Sequence, residues 1–233
     1  MIALIDADSL LYRVGFAAEE EHENIAKARL DETLEMLIFQ DLEKCTSYQL
    51  FTSGSDNFRY NIAKSVPYKG NRVDMKRPKH LDSLKSHIVA KWNASVSEGK
   101  EADDDVCIAA NLHSHCIIAH IDKDLDQIPG SHYNYVKKEF YNIGKFEGLK
   151  NLYKQALVGD VADNIKGVKG IGKVKAEKLL KDCFTEKELY ETVLSCYNNS
   201  MTNGEERLHE NMNLLYLLRS SDDAWKPPKG VED

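Results

Sequence analysis

The chain has 233 residues, 42% of them apolar and 30% charged, with a net charge of −7. That is enough apolar material for one large α/β domain, or a core domain with a small appendage, and it excludes a disordered or fibrous chain. No run approaches the roughly 18 consecutive apolar residues of a membrane helix, and the start MIALIDADSLLYR is too acidic and too short for a secretory signal.

A cytoplasmic location and no membrane partner are therefore expected. Five cysteines (Cys45, Cys107, Cys116, Cys183, Cys196) form an odd set with no CxxC pair, which predicts buried free thiols rather than disulfides or structural zinc.

In chain order, IALID (2–6) is an apolar run that stops at Asp6, as a buried strand of a parallel sheet does. The acidic EEEHE then leads into a long amphipathic helix carrying Ile25, Leu30, Leu34, Leu37, Ile38 and Leu42. YQLFTSG (48–54) predicts a second strand, and the polar, aromatic and basic passage FRYNIAKSVPYKGNRVDMKRPK follows it. LDSLKSHIVAKW places Leu81, Leu84, Ile88 and Trp92 on one helical face, and EADDDVCIAANLHS predicts a helix whose first turn is loaded with acids. CIIAHID (116–122) predicts a third buried strand, and HYNYVKKEFYNI a fourth strand or a hairpin. From FEGLKNLYKQALVGD onward the pattern is mainly helical, until the prolines and charges of DDAWKPPKGVED predict an unstructured end.

Strands alternating with helices predict an α/β fold with a parallel sheet flanked by helices. In such sheets sites form beyond the carboxyl ends of the strands, and two of the three strands end in aspartate, Asp6 and Asp122.

Four acidic groups lie at element ends that can point to one sheet edge: Asp6; Glu101, Asp103 and Asp104; Asp122 and Asp124; Asp160 and Asp163. Any one pair alone reads as a helix cap or a solvated loop. Converging in a partly dry cleft, they would repel one another or stay protonated unless cations neutralise them. An all-carboxylate set favours hard cations, Mg²⁺ or Mn²⁺, and its size favours two ions. Asp8, Asp105 and Asp126 are assigned to caps and loops, since each faces away if its neighbour faces in. Setting these eleven carboxylates aside leaves 27 acids against 31 lysines and arginines, so the net charge is compatible with a basic surface around an acidic pit.

IKGVKGIGKVKAEKLL (165–180) has the pattern of a helix, a tight hairpin and a second helix. Gly170 and Gly172 would permit a positive-φ turn and close backbone approach, and the helix starting near Lys173 would offer free N–H groups to a phosphate. Lys166, Lys169, Lys173 and Lys175 add sequence-independent attraction to a nucleic-acid backbone. Earlier in the chain, Arg59, Tyr68, Lys69 and Arg72 supply an aromatic beside cations, as a stacking and phosphate-steering surface needs. Helix capping and a solvated basic face are the plainer readings of these two segments.

Taken together, LIDADSLLYR, NFRYNIAKSVPYKGNR, EADDDVCIAA, IDKDLDQI and GDVADNIKGVKGIGKVKAEKLL resemble, in order, the motifs of the 5′ nuclease family: flap endonucleases, the 5′ nuclease domains of bacterial DNA polymerases and bacteriophage 5′→3′ exonucleases. The modest length is most similar to the phage members. The resemblance implies a PIN-like α/β nuclease core over 1–150 with a short helical arch at about 68–100. A helix-three-turn-helix (helix-hairpin-helix type) DNA-binding element and C-terminal helices would occupy 151–224, and a tail 225–233. It implies metal ligands at Asp6, Glu101, Asp103, Asp104, Asp122, Asp124, Asp160 and Asp163, and catalytic Lys69 and Arg72 on the scissile phosphate. DNA contacts would come from Arg59, Tyr68, Lys166, Gly167, Lys169, Gly170, Gly172, Lys173 and Lys175, with a K⁺ held by the hairpin's backbone carbonyls at Val168 and Ile171.

One departure stands out. The family usually ends its second strand with an aspartate where this chain has Thr52, so either a hydroxyl or a water replaces that ligand, or the loop brings Asp56 in. The implied activity is Mg²⁺- or Mn²⁺-dependent hydrolysis of DNA phosphodiesters at a 5′ end, nick or flap, by a monomer acting without sequence preference in replication, recombination or repair. The products would be 5′-phosphorylated. Two rivals follow from the same residues: a catalytically weak DNA-binding protein, and a phosphatase of the haloacid dehalogenase type, whose strand-DxD start LIDAD superficially gives.

Overall fold

In the computed structural model, which describes residues 1–73 and 75–229, the fully apolar runs have become the buried middle of a six-stranded sheet. β1 (Ile2–Asp6) lies at its centre between β2 (Ser47–Ser53) and β4 (Cys116–His120), with β3 (Ser95–Ser97) beyond β2, and β5 (Gly130–Asn134) and β6 (Glu139–Ile143) beyond β4. All pairings are parallel except β5–β6, a hairpin that turns through Lys138 at φ 58°. The hairpin alternative for 132–143 is the one observed. β3 was not predicted, because SVS has no apolar run to signal it.

The helices follow from the two faces of β1. Ala3 and Ile5 join one core cluster with residues of α1 (Asp8–Ala17), α2 (Glu23–Met36) and α4 (Leu81–Trp92). The opposite parity, Leu4 with its β4 partner Ile118, is equally buried on the face covered by α5 (Ala102–Leu112). The long helix expected behind EEEHE is α2 continued by a π-turn at Leu37–Asp41, with α1 an additional helix before it, and Ile25, placed on the apolar stripe, is exposed. The arch expected over 68–100 is corrected as well. Leu81, Leu84, Ile88 and Trp92 of α4 are buried in the core, and β3 is a strand of the sheet.

Contacts divide the chain into two units, and not at residue 150. The sheet and its helices form one (Met1–Asn57, Lys76–Leu125, Gly130–Ile143); Phe58–Met75, Asp126–Pro129 and the chain from Gly144 onward form the other. The second unit contains α3 (Arg59–Ile62), α6 (Lys145–Val158), the two-residue strands β7 (Gly159–Asp160) and β8 (Ile165–Lys166), α7 (Lys173–Leu180), α8 (Glu186–Ser200) and α9 (Gly204–Leu215). Its core is built from Tyr153, Ala156 and Leu157 of α6 against Tyr190, Val193 and Tyr197 of α8 and Leu208 and Met212 of α9. Thr185 opens α8 by accepting the Glu188 N–H at 3.3 Å.

Two expectations fail inside this core. Trp225, placed in an unstructured tail, is buried and stacks 6.1 Å from the Tyr190 ring; residues 230–233 of that tail lie outside the described residues. Arg59, expected to bind DNA, is 1% exposed. Its Nε donates to the Leu214 carbonyl and its Nη2 to the Tyr216 carbonyl, each at 2.8 Å, just where α9 runs out of intrahelical donors. Arg59 is a structural clamp on the C-terminal end of α9.

All five cysteines are free; Cys107 and Cys183 are buried and Cys45, Cys116 and Cys196 are half-buried. Among the described residues no helix is long and apolar enough to cross a membrane.

Arg59→Ala leaves two buried carbonyls without donors and a hole where the guanidinium sat. It should lower the unfolding free energy by about 2–4 kcal/mol in urea titration.

Candidate active site

The parallel strands deliver their carboxyl ends to one edge of the sheet, and four segments of the first unit bring acids there. Asp6 is the last residue of β1 and is 2% exposed. Its Oδ1 accepts the Asp8 N–H at 3.0 Å. Burial, then the charges of Asp8 and Asp122, push its carboxyl up to about 7. Asp103, in the first turn of α5, is held well above the usual carboxylate range by burial and then by Asp6, Asp122, Glu101 and Asp124. Glu101, Asp103, Asp122 and Asp124 are thus brought together with Asp6 as expected.

Asp104 differs. It is fully buried and its Oδ2 accepts the Glu101 N–H at 3.1 Å, closing the start of α5 as a capping box does. That contact fixes the start of α5, which carries Glu101 and Asp103 at the sheet edge.

Asp122 is fixed from below by a buried polar chain that no sequence pattern announces. His120 Nδ1 donates to the Asp122 carbonyl at 2.6 Å, while its Nε2 lies 2.8 Å from His132 Nδ1 and 3.1 Å from the Tyr141 hydroxyl. Burial, followed by the neighbouring His132, drives His120 down to about 4, so it stays neutral and keeps one N–H for the carbonyl. Asp122 Oδ1 in turn accepts the Asp124 N–H at 2.9 Å, which sets the turn carrying both acids.

The position at the end of β2 resolves in a way neither alternative anticipated. The Thr52 hydroxyl donates to Asp8 Oδ1 at 2.7 Å, and the Ser53 N–H lies 3.1 Å from both Asp8 oxygens. Lys85 of α4 donates to the Ser53 carbonyl at 2.9 Å, with its ammonium 4.0 Å from Asp8. Asp56 is exposed and accepts the N–H of its own neighbour Asn57 at 2.8 Å. The carboxylate at the end of β2 is therefore Asp8, which had been set aside as facing away from Asp6. The signal was present in D-x-D itself, since residues two apart on an extended segment share a face.

In the second unit, YKGNR (68–72) and DVADN (160–164) dock on each other. The Lys69 N–H donates to the Asp163 carbonyl at 3.0 Å, Arg72 Nε to the Ala162 carbonyl at 2.9 Å, Asn71 Nδ2 to the Val161 carbonyl at 2.6 Å, and Asn164 Nδ2 to the Pro67 carbonyl at 2.9 Å. Asp163 Oδ2 accepts the Tyr68 hydroxyl at 2.8 Å and its Oδ1 accepts Arg72 Nη2 at 2.7 Å, with Lys69 Nζ 3.7 Å away. Asp160 Oδ1 accepts the N–H groups of Ala162 and Asp163 at 2.7 and 3.2 Å, and its Oδ2 accepts Gln155 Nε2 at 3.2 Å. Tyr68 is 4% exposed with its ring edge-on to Tyr60, so it is a core residue and not the stacking surface expected.

The glycine-rich segment is also regular in a different way from its reading. IKG is not helical; Ile165–Lys166 pairs with Gly159–Asp160 as β8 and β7. A Cβ on Gly159 would meet the Gly167 nitrogen at 2.4 Å, so both must be glycine for this close crossing. Gly170 has the positive φ expected, 79°, whereas Gly172 is extended backbone at the N-cap of α7. Val168 and Ile171 pack their side chains into the core, and Lys166, Lys169, Lys173 and Lys175 are exposed around them.

No family model matches the chain. It is 26% identical to a 5′-3′ exonuclease of Mycoplasma genitalium over 93% of this chain and 84% of that one. It is also 26% identical to DNA polymerase I of Caldicellulosiruptor bescii over 82% of this chain, and 30% identical to flap endonuclease Xni of Shewanella baltica over 49% of it. Those matches span a quarter of the polymerase and about half of Xni. These relatives are bacterial and do not carry the length-based expectation of a phage member.

Among solved structures, the T5 5′-exonuclease with bound zinc superposes with a TM-score of 0.66 at 17% identity, over 92% of this chain and 88% of that one. A bacteriophage T5 flap endonuclease in a product complex with DNA and metal ions gives the same TM-score over 92% and 89%. The catalytic core of Rad2 in complex with DNA substrate gives 0.50 at 14% identity, over 93% and 72%. In sequence the chain is thus related to 5′-3′ exonucleases and flap endonucleases, and its fold is that of T5 5′-exonuclease and the Rad2 core, the 5′ nuclease likeness that its own motifs carry.

Proposed function

We propose that this chain is a metal-dependent 5′ nuclease that hydrolyses DNA phosphodiesters by 5′→3′ exonuclease and flap endonuclease action. The observation that carries the reading is the pair Asp6 and Asp103, whose carboxyls are raised by burial and then by acidic neighbours, Asp8 and Asp122 for Asp6, and Asp6, Asp122, Glu101 and Asp124 for Asp103. A fold that buries acids against acids is poorly served by protons at neutral pH and well served by a divalent cation. The donors are all hard carboxylate oxygens, so Mg²⁺ or Mn²⁺ fits them, with Asp6, Glu101, Asp103, Asp122 and Asp124 as the ligands. Such a cation supplies polarisation of the phosphate and activation of the attacking water.

The remaining steps belong to the chain. His120 and the Asp124 N–H keep Asp122 in one orientation, and Asp104 does the same for the start of α5. Lys69 and Arg72 offset charge developing on the scissile phosphate, as preorganised cations do. Lys166, Lys169, Lys173 and Lys175 hold duplex phosphates without reading sequence. Asp160 as a further ligand, a second cation, 5′-phosphate products, monomeric action and a K⁺ on the carbonyls of Val168 and Ile171 complete the proposal on the strength of the resemblance. Asp8 weighs against a catalytically weak variant, because it places a carboxylate where Thr52 leaves none.

Asp122→Ala should abolish Mg²⁺-dependent cleavage of an end-labelled 5′-flap duplex while leaving DNA binding in Ca²⁺ within about threefold, given that phosphate-binding lysines carry most of the affinity. Undiminished cleavage by that variant refutes the assignment. Asp6→Asn removes one of the repelling charges, so the metal-free variant should melt above the metal-free wild type by a few degrees, as expected for roughly 1 kcal/mol in a chain of this size. The stabilisation that Mg²⁺ gives the wild type should shrink in the same scan.

A further inference from the structure

The resemblance makes Asp163 a metal ligand, but its surroundings in the second unit are those of an anchor. We propose that Asp163 is a positioning residue that locks Tyr68, Lys69 and Arg72 into one preformed phosphate-binding loop; this rests on the nuclease reading for the role of that loop. Three side chains converge on its carboxylate, the Tyr68 hydroxyl at 2.8 Å, Arg72 Nη2 at 2.7 Å and Lys69 Nζ at 3.7 Å.

The backbone of the same loop is pinned to the same segment. Lys69 donates its N–H to the Asp163 carbonyl at 3.0 Å, and it does so at φ 53°, a left-handed conformation that a lysine holds only when its surroundings over-determine it. Asn71 and Asn164 add side-chain bonds across the seam, and Arg72 Nε reaches the Ala162 carbonyl.

Charge and exposure argue in the same direction. The Asp163 carboxylate faces two cations, Arg72 and Lys69. Asp163 is mostly covered, its side chain 12% exposed, whereas the Arg72 side chain is 42% exposed. A guanidinium held by two of its donors in a fixed plane keeps its fork geometry for a phosphate. The Lys69 ammonium lies 5.1 Å over the Tyr68 ring, a second restraint on its direction. The anchor therefore fixes the orientation of two cations.

The test is a sign. Neutralising a bystander acid strengthens binding to a polyanion, and neutralising an anchor weakens it. With the full chain, anisotropy titration of a labelled 5′-flap duplex in EDTA should show Asp163→Asn binding about fivefold more weakly than wild type, with a salt slope lower by about one. Tyr68→Phe, which removes only the hydroxyl on Asp163, should weaken binding in the same direction, and the double variant should be no worse than Asp163→Asn alone. Calorimetric titration with Mn²⁺ should give Asp163→Asn the same affinity and stoichiometry as wild type.

Equal or tighter DNA binding by Asp163→Asn, or loss of a Mn²⁺ equivalent, overturns the proposal and returns Asp163 to the metal. If Asp163→Asn does not fold, Tyr68→Phe decides by the same DNA titration. A wild type that cleaves no DNA refutes the nuclease reading by itself, and the sign of the Asp163→Asn effect on DNA affinity is read independently of cleavage.

Discussion

The interaction on which the first unit depends is a repulsion. A central parallel strand must end at the sheet's carboxyl edge, and here β1 ends in Asp6 while α5 and the turn after β4 bring Asp103 and Asp122 to the same edge. Like charges a few ångströms apart in a partly dry setting are among the most costly arrangements a fold can hold. What tolerates it is the rest of the unit. Leu4, Ile5, Leu30, Leu34, Leu84 and Ile88 are completely buried, and the α5 N-terminus presents its positive dipole end to the acids of its first turn. Stability stored in the core is offset at the site, as sites under functional demand commonly require.

Around that repulsion the structure spends its polar contacts on orientation. His120, His132 and Tyr141 form a buried chain that ends on the Asp122 carbonyl. Asp104 closes the α5 start, and Thr52, Ser53 and Lys85 fix Asp8. A buried polar group without a partner costs on the order of 1–3 kcal/mol, so each of these contacts must be made in full for the fold to keep it. The acids are consequently held in place by the chain itself, and the proposed cation would find ligands that need little reorganisation.

Much of this was legible in the sequence, and the failures have a common cause. IALID and CIIAHID announce themselves because a strand covered on both faces must be apolar at every position. The acids beside them announce a site because no fold gathers them without compensation. Arg59, Tyr68 and Trp225 misled because composition reports what a side chain can do in water, whereas each is buried by segments distant in sequence: Arg59 by the end of α9, Trp225 by α8. β3 is three residues long and polar, too short for periodicity to register. Asp8 reads as a helix cap because its partners, Thr52 and Ser53, come from a strand some 45 residues away that no local pattern links to it.

The charge of the chain, −7 overall, is consistent with a polyanionic partner once position is considered. Acids gathered in a buried site contribute little beyond a Debye length, about 8–10 Å at moderate ionic strength, the less so if the proposed cation compensates them there. Lys166, Lys169, Lys173 and Lys175 are exposed around a backbone turn at Gly170, so their field reaches solvent undiminished. The close crossing of Gly159 and Gly167 joins that turn to Asp160 and Asp163 through a backbone with no room for a side chain. A net charge sums buried and exposed groups alike, but a long polyanion meets only the exposed ones, and in this stretch those are lysines.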